Sequence, residues 1–170
     1  MIGLPERHES APYYHSYIDQ IPGGNIVHIL ETQMHETLGL LGGISEEKSL
    51  HRYEPGKWSV RELLNHVNDA ERIFVHRALW FARGFDTPLP GFDQDTGVRA
   101  ARADDFSWAS HMEEFRAIRL SSLSFFARLP EAAWARSGTA SGNPFTVRAL
   151  AYIVAGHVAH HNGILKTRYL

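Results

Sequence analysis

The chain has 170 residues, of which 44% are hydrophobic and 21% charged, a composition typical of a soluble globular protein. Its 17 Lys and Arg residues nearly balance 19 Asp and Glu residues, so neither nucleic acid nor a membrane surface is an expected partner. No cysteine is present, which excludes disulfide bonds, thiolate metal ligands and a cysteine nucleophile. Any transition metal must therefore be held by carboxylates or by the 11 histidines.

The N-terminal residues 1–20 contain no apolar segment of the kind found in secretory signals, and no apolar run elsewhere is long enough to span a bilayer. We therefore expect a cytoplasmic protein with a single domain, residues 1–170. Residues 1–20 are expected to form an ordered arm over this domain, with Tyr13, Tyr14 and Tyr17 as aromatic anchors. A frayed terminus is the alternative for the first eight residues.

Apolar residues recur at helical spacing in four stretches, which cover approximately residues 24–41, 59–84, 107–129 and 146–168. The second helix has a well-defined start, because Ser59 and Glu62 have the spacing of a capping box. Thr146 is the predicted N-cap of the fourth helix. Residues 131–145 are expected to form a turn and a polar loop, and no strand is predicted.

The segment 85–105 lacks helical periodicity and contains two prolines and two glycines. A connection of this length is uncommon unless it has a function. Fully extended, it could reach about 70 Å, well beyond the roughly 30 Å length of a bundle helix. The second and third helices can therefore be parallel, with this segment crossing over between them. The sequence predicts an all-α four-helix bundle with a long crossover.

Three histidines lie within two turns of the predicted last helix. On a helical wheel started at Val147, the apolar stripe of this helix is centred near about 330°. His157 falls at about 280° and His161 at about 320°, inside the stripe, whereas His160 falls at about 220°, on its flank. Because His157 and His161 are four residues apart, their rings can converge on one point. This pair is the predicted core of a metal site, since buried imidazoles need a partner.

A third candidate ligand lies on the second helix. His66 falls at the edge of the apolar stripe, in a position that suits a ligand facing a cleft between helices. Asp69 lies one turn further on and is expected to be exposed, with a supporting role beside a metal ligand as the alternative. For each histidine taken alone, an ordinary hydrogen-bonded core or surface side chain also remains open.

Several segments together carry a family resemblance. They are Tyr13-Tyr14, Tyr17-Ile18, Lys57-Trp-Ser-Val-Arg-Glu-Leu-Leu-Asn-His66, Asp69-Ala-Glu-Arg72, Leu89-Pro-Gly-Phe-Asp93, Phe115-Arg-Ala-Ile-Arg119, Thr146-Val-Arg-Ala-Leu-Ala-Tyr-Ile-Val-Ala-Gly-His157 and His160-His161 through Arg168-Tyr-Leu. In their order and spacing they resemble the DinB/YfiT-like superfamily of metal-dependent enzymes, over nearly the whole chain. No single motif is decisive.

The resemblance implies a bundle with up-down-down-up topology, which agrees with a long crossover between the second and third helices. It also implies a divalent ion held by one histidine of the second helix and an HxxxH pair of the last helix. In this sequence those residues are His66, His157 and His161, and His160 is left outside the site. A homodimer formed through helical faces is expected only by this resemblance.

Three neutral imidazoles leave a divalent ion with an open coordination position, as in catalytic rather than closed structural sites. Zn²⁺ and Ni²⁺ both suit this donor set. The resemblance implies transfer of a low-molecular-weight thiol, such as bacillithiol, mycothiol or glutathione, to an electrophilic small-molecule substrate. Metal-dependent hydrolysis of an amide or ester is the second hypothesis, and a non-catalytic metal-binding stress or interaction protein is the third.

The sequence identifies no side chain that assists either reaction. Possible pocket residues come from the crossover, where Phe92, Asp93, Gln94 and Asp95 could line the mouth of a site. A solvated acidic loop is the alternative for this segment.

Overall fold

The computed structural model describes residues 2–170 of the chain. Its six α-helices are α1 (His15–Ile18), α2 (Ile26–Gly42), α3 (Val60–Ala82), α4 (Gln94–Ala101), α5 (Trp108–Phe126) and α6 (Val147–Ile164). Two short strands, β1 (Ser137–Ala140) and β2 (Asn143–Thr146), form an antiparallel hairpin, and a π-helical turn, Leu165–Tyr169, follows α6. Five 3₁₀ segments lie at Arg7–Glu9, Pro12–Tyr14, Lys48–Leu50, Ala103–Asp105 and Glu131–Ala133.

The four long helices begin at polar N-caps. Ser59 accepts a hydrogen bond from the backbone of Glu62, and the Glu62 carboxylate accepts one from the Ser59 backbone, so the predicted capping box is confirmed. Thr146 caps α6 by accepting from the Ala149 amide, also as predicted. Asn25 and Ser107 cap α2 and α5 in the same way. These caps satisfy amides that no helical carbonyl can reach.

Two hydrophobic clusters mark the two ends of the bundle. One combines the C-terminal halves of α2 and α6 with the N-terminal halves of α3 and α5 and includes Met34, Leu64, Phe115 and Leu165. The other combines the opposite halves and includes Leu30, Phe81, Phe126 and Leu150. Helices α3 and α5 are therefore parallel to each other and antiparallel to α2 and α6. The predicted up-down-down-up topology is confirmed.

The crossover contains structure that the sequence did not reveal. The segment 85–105 was expected to lack helix, but α4 forms within it, capped by Asp93, whose carboxylate accepts from the Thr96 amide at 2.7 Å. This helix spans only two turns and packs against α3. An element so short contains too few apolar residues for its period to be recognised.

The expectation of a polar loop without strands at 131–145 was wrong. Strands β1 and β2 pair from Ser137 with Thr146 to Ala140 with Asn143, and the turn residues Ser141 and Gly142 have φ of 52° and 73°. Positive φ at both positions is typical of tight hairpin turns. The crossover adds to this hairpin, because the Leu89 amide donates to Thr139 and the Leu89 carbonyl accepts from Ser141.

The N-terminal segment packs over α6 and β2. Tyr14 makes edge-to-face contacts with Phe145 and Phe74, at ring-centroid distances of 5.2 and 6.0 Å. Further along, the backbone of Tyr17 lies directly on Gly156 of α6, where a Cβ atom would overlap the Tyr17 carbonyl. Glycine at this position therefore allows the close approach of α1 to α6.

A buried polar network crosses the middle of the bundle. The Arg119 guanidinium on α5 is 0% exposed and donates to the Glu71 carboxylate on α3 at 2.8 and 2.9 Å. It also donates to the Leu30 carbonyl and to the Gln33 side chain of α2, both at 3.0 Å. Gln33 in turn donates to the Ala155 carbonyl of α6 at 2.8 Å. One network thus connects all four long helices.

Within residues 2–170, no helix is both long enough and apolar enough to cross a membrane.

Candidate metal centre

Three buried histidines converge between α3 and α6. The Nε2 atom of His157 lies 3.1 Å from that of His66 and 3.2 Å from that of His161. One ring nitrogen of each residue can be chosen so that all three lie within 4.8 Å of one another. The residues are only 4%, 5% and 8% exposed for His66, His157 and His161. The structure thus brings together the three residues that the sequence singled out as ligands.

Helical spacing accounts for this convergence. His157 and His161 are one turn apart on the face of α6 that packs against α3. His66 projects from the second turn of α3. Because α3 is antiparallel to α6, this turn lies beside the C-terminal part of α6, which carries His157 and His161. His160 is only half-buried and does not belong to the cluster, and its ring lies 5.2 Å from that of Tyr17 on α1. The helical wheel separated His160 from the pair on the same basis.

Burial keeps the three imidazoles neutral. Desolvation lowers the pKa of His66 to about 4 and that of His161 to about 3. It also lowers the pKa of His157 well below 6.5, and the neighbouring His161 and His66 rings add to that shift. At neutral pH each ring therefore retains a lone pair on one nitrogen, which is the form that binds a metal.

The arrangement fits a divalent ion. Ligand nitrogens about 2.1 Å from a tetrahedral ion lie roughly 3.4 Å apart, close to the observed Nε2 separations of 3.1 and 3.2 Å. Within residues 2–170, no carboxylate belongs to the cluster. The donor set is therefore three neutral imidazoles, which leaves at least one coordination position for a ligand from solution.

Aromatic packing orients the rings. The Nδ1 atoms of His66 and His161 are buried and make no hydrogen bond to residues 2–170, whereas metal ligands usually donate from this nitrogen to a carbonyl or carboxylate. The His66 ring instead packs on Trp58 at a centroid distance of 5.0 Å. The His157 ring contacts Tyr17 at 5.5 Å and Phe74 at 5.8 Å.

Two cavities with different lining residues reach the cluster. The first, of about 270 Å³, includes His66 and His157 in its wall. Its other lining residues are Tyr13, Tyr14, Tyr17, Ala70, Ile73, Phe74, Arg77, Phe92, Gln94 and Ser141. The second, of about 290 Å³, includes His161 together with Tyr53, Gly56, Lys57, Trp58, Leu63, Asp95, Ile164 and Tyr169. Residues from the start of α4 thus contribute to both cavities.

The predicted pocket residues fall in different places. Phe92 and Gln94 line the first cavity and Asp95 lines the second, while the Asp93 carboxylate caps α4. Asp69 is half-buried, accepts from Asn65 and pairs with Arg72.

Among the residues of the first cavity that the sequence did not connect with the site are Arg77 and Ser141. Arg77 is eleven positions after His66 and so lies on nearly the same face of α3, a signal that the helical wheel contained. Ser141 sits at the tip of the unpredicted hairpin, and no local signal connected it with the site.

Solved structures with the same fold include two kinds of protein. One is YfiT from Bacillus subtilis, described as a probable metal-dependent hydrolase with an unusual four-helix bundle topology. It shares 14% sequence identity with this chain and has a TM-score of 0.72, over 95% of this chain and 89% of that one. The mycothiol-dependent maleylpyruvate isomerase has 13% identity and a TM-score of 0.70, over 86% of this chain. The match spans only 61% of the isomerase. At these identities the likeness concerns the fold alone.

No curated protein matches the sequence significantly. A family model does match it, over residues 29–165, which is most of the chain and includes all three converging histidines. That model describes the DinB superfamily, and the chain therefore belongs to the DinB superfamily.

Proposed function

We propose that His66, His157 and His161 bind one divalent transition-metal ion, Zn²⁺ or Ni²⁺, and that the protein is an enzyme transferring a low-molecular-weight thiol to an electrophilic substrate. The observation that carries this proposal is a cluster of three neutral imidazoles with no carboxylate, reached by two cavities. A transferase needs room for two organic molecules beside one metal. A structural site would instead be closed by a fourth side chain.

When bound at three neutral ligands, a divalent ion retains its full charge and lowers the pKa of a thiol or water at its open position. The chain's own residues supply the surroundings. Tyr17, Phe74 and Trp58 pack against the imidazole rings and limit their contact with water. Burial strengthens every electrostatic interaction at such a site.

Hydrolysis of an amide or ester is the second candidate function. It is supported by the similarity of the fold to that of the Bacillus subtilis protein described as a probable metal-dependent hydrolase. Hydrolysis would need only one of the two cavities for an organic molecule, with water as the other reactant. A requirement for added thiol therefore distinguishes the two functions.

The first experiment is metal analysis of protein purified without chelator. We expect about one divalent ion per chain in the wild type and loss of the ion in His157→Ala. His160→Ala is the matched control, because it removes a neighbouring imidazole of the same helix that lies outside the cluster. Protein without stoichiometric metal would contradict the proposal. Metal retained after substitution of both His157 and His161 would show that the ligands are different.

The second experiment is an activity screen of the metal-loaded protein with bacillithiol, mycothiol or glutathione and an electrophilic test substrate such as 1-chloro-2,4-dinitrobenzene. Consumption of free thiol and formation of the thioether are followed together. We expect thiol-dependent product in the wild type and in His160→Ala, but not in His157→Ala. Turnover of ester or amide substrates without thiol would favour hydrolysis instead.

A further inference from the structure

The first cavity contains a buried arginine that lacks an acidic partner. Within residues 2–170, three arginines are buried: Arg61, Arg77 and Arg119. Arg61 pairs with Glu46 at 2.5 Å and Arg119 with Glu71 at 2.8 Å. Arg77 is 3% exposed, yet no carboxylate of these residues lies within 4.0 Å of its nitrogens.

The contacts of Arg77 are to neutral oxygens. Its Nη2 donates to the Pro90 carbonyl at 3.1 Å and to the Ser141 hydroxyl at 2.9 Å. These two bonds use one nitrogen, and Nε and Nη1 make no hydrogen bond within the part of the chain that the structure describes. A buried charge without a counter-ion is unfavourable, and the free Nη1 can donate a charge-assisted hydrogen bond to a carboxylate oxygen.

Arg77 and the histidine cluster belong to the same cavity wall. His66, Ala70, Phe74 and Arg77 follow one face of α3 at spacings of four, four and three residues, and all four line the cavity. The Cα atoms of His66 and Arg77 are about 16 Å apart along this helix. The Arg77 side chain leans back towards the N-terminus of α3, and so towards His66.

The rest of this wall combines apolar and aromatic residues, among them Ile73, Phe74, Phe92 and Tyr14, with the polar side chain of Gln94. A volume of about 270 Å³ lies near the lower limit of small-molecule sites, roughly 300–1,000 Å³. Arg77 is also the only lysine or arginine in the lining. One positive charge in a small cavity with an aromatic wall matches a monoanion better than a phosphate dianion.

We propose that Arg77 binds the carboxylate of the substrate, so that the substrate class is a small carboxylate with an apolar body. The carboxylate accepts from the free Nη1 of Arg77, and the apolar body lies along α3 with the reactive centre at the histidine cluster. Ser141 and Pro90 act as positioning groups that hold the guanidinium in the cavity. This inference rests on the proposed function for the chemistry at the metal, but the anion site itself does not require the metal.

The test uses two probes that differ only in charge, 3-phenylpropanoate and 3-phenylpropanamide, with binding measured by isothermal titration calorimetry. Both chelator-treated and Zn²⁺-loaded wild type are titrated. We expect the carboxylate to bind at least tenfold more tightly than the amide in both forms. A preference that persists without metal supports the Arg77 site even if no metal-dependent activity is found, so the two proposals can fail separately.

Variants assign the preference to Arg77. Arg77→Gln should abolish it, and Arg77→Lys should retain part of it, because the charge remains but the planar guanidinium held by Pro90 and Ser141 is lost. Arg83→Gln is the matched control, since it removes a positive charge from the exposed C-cap of the same helix. Circular dichroism checks that each variant is folded.

Equal affinity of the wild type for the two probes would overturn the inference, and this result does not depend on any variant. A folded Arg77→Gln protein that keeps the full preference would overturn it as well. If Arg77→Gln does not fold, Arg77→Lys and Ser141→Ala decide. A preference unchanged in both would contradict the proposal, and a preference reduced in both with Arg83→Gln unaffected would support it.

Discussion

The metal-free protein should lose stability steeply in mild acid. Its three converging histidines are neutral in the folded state, because burial lowers the pKa of His66 to about 4, that of His161 to about 3, and that of His157 well below 6.5. In the unfolded chain an imidazole has a pKa of about 6.5. Between about pH 6.5 and pH 4 the unfolded state therefore binds more protons, so the free energy of unfolding falls as the pH falls.

The size of this effect follows from the pKa differences. At pH 5, protonation stabilises each imidazole of the unfolded chain by about 2 kcal/mol. An imidazole with a folded-state pKa of about 4 or lower is hardly protonated at this pH, so the folded state gains almost none of this stabilisation. His66 and His161 together lower the free energy of unfolding by about 4 kcal/mol between pH 7.5 and pH 5, and His157, whose pKa is also lowered, adds to this decline. Typical small domains have only about 5–15 kcal/mol in total.

The assay is urea unfolding of chelator-treated protein, followed by circular dichroism at several pH values between 7.5 and 5. The free energy of unfolding of His161→Gln should decline by about 2 kcal/mol less than that of the wild type over this range, since one titrating group is removed. His35→Gln, at an exposed position of α2, controls for the loss of an imidazole outside the cluster.

Equal declines for wild type and His161→Gln would refute the reasoning, because they would mean that His161 is not held neutral by the folded state. A wild-type decline of only about 2 kcal/mol or less would lead to the same conclusion for the cluster as a whole.

Two further predictions concern packing. Arg119→Met leaves Glu71 buried without its partner and should cost about 3–5 kcal/mol in urea unfolding at pH 7.5; a loss below about 1 kcal/mol would contradict a buried ion pair. Gly156→Ala should cost about 1–3 kcal/mol and make residues 2–20 more susceptible to protease, because the added Cβ displaces Tyr17. Gly163→Ala is the control, as it meets no neighbour on the exposed face of α6, and equal protease sensitivity in both would contradict the close contact.

Much of the bundle was predictable because its signals are local or periodic. The Ser59 capping box and the Thr146 N-cap require only neighbouring residues. The long apolar stripes predicted four helices, and the length of the crossover indicated that two of them could be parallel. The convergence of His157 and His161 followed from one-turn spacing.

The missed features depend on partners far away in the chain. The hairpin strands have four residues each and are polar in sequence, but Leu89 pairs with the backbone of Thr139 and Ser141, some fifty residues later. Arg119 and Glu71 are 48 residues apart, and neither has a local pattern that identifies its partner. Arg77 is the exception, because its position on the same face of α3 as His66 could have been read from the helical wheel.

The buried network has a consequence for the choice among possible bundle arrangements. The apolar stripes of the four long helices could also be buried in a bundle in which consecutive helices are neighbours. Arg119 of α5 donates to both α2 and α3, so it requires α5 to lie between these two consecutive helices. Any arrangement that separates α5 from either of them leaves the Glu71 carboxylate or the Gln33 side-chain oxygen buried without the Arg119 donor. We therefore expect a double substitution of Arg119 and Glu71 by apolar residues to preserve a compact bundle while weakening its preference for one order of helices.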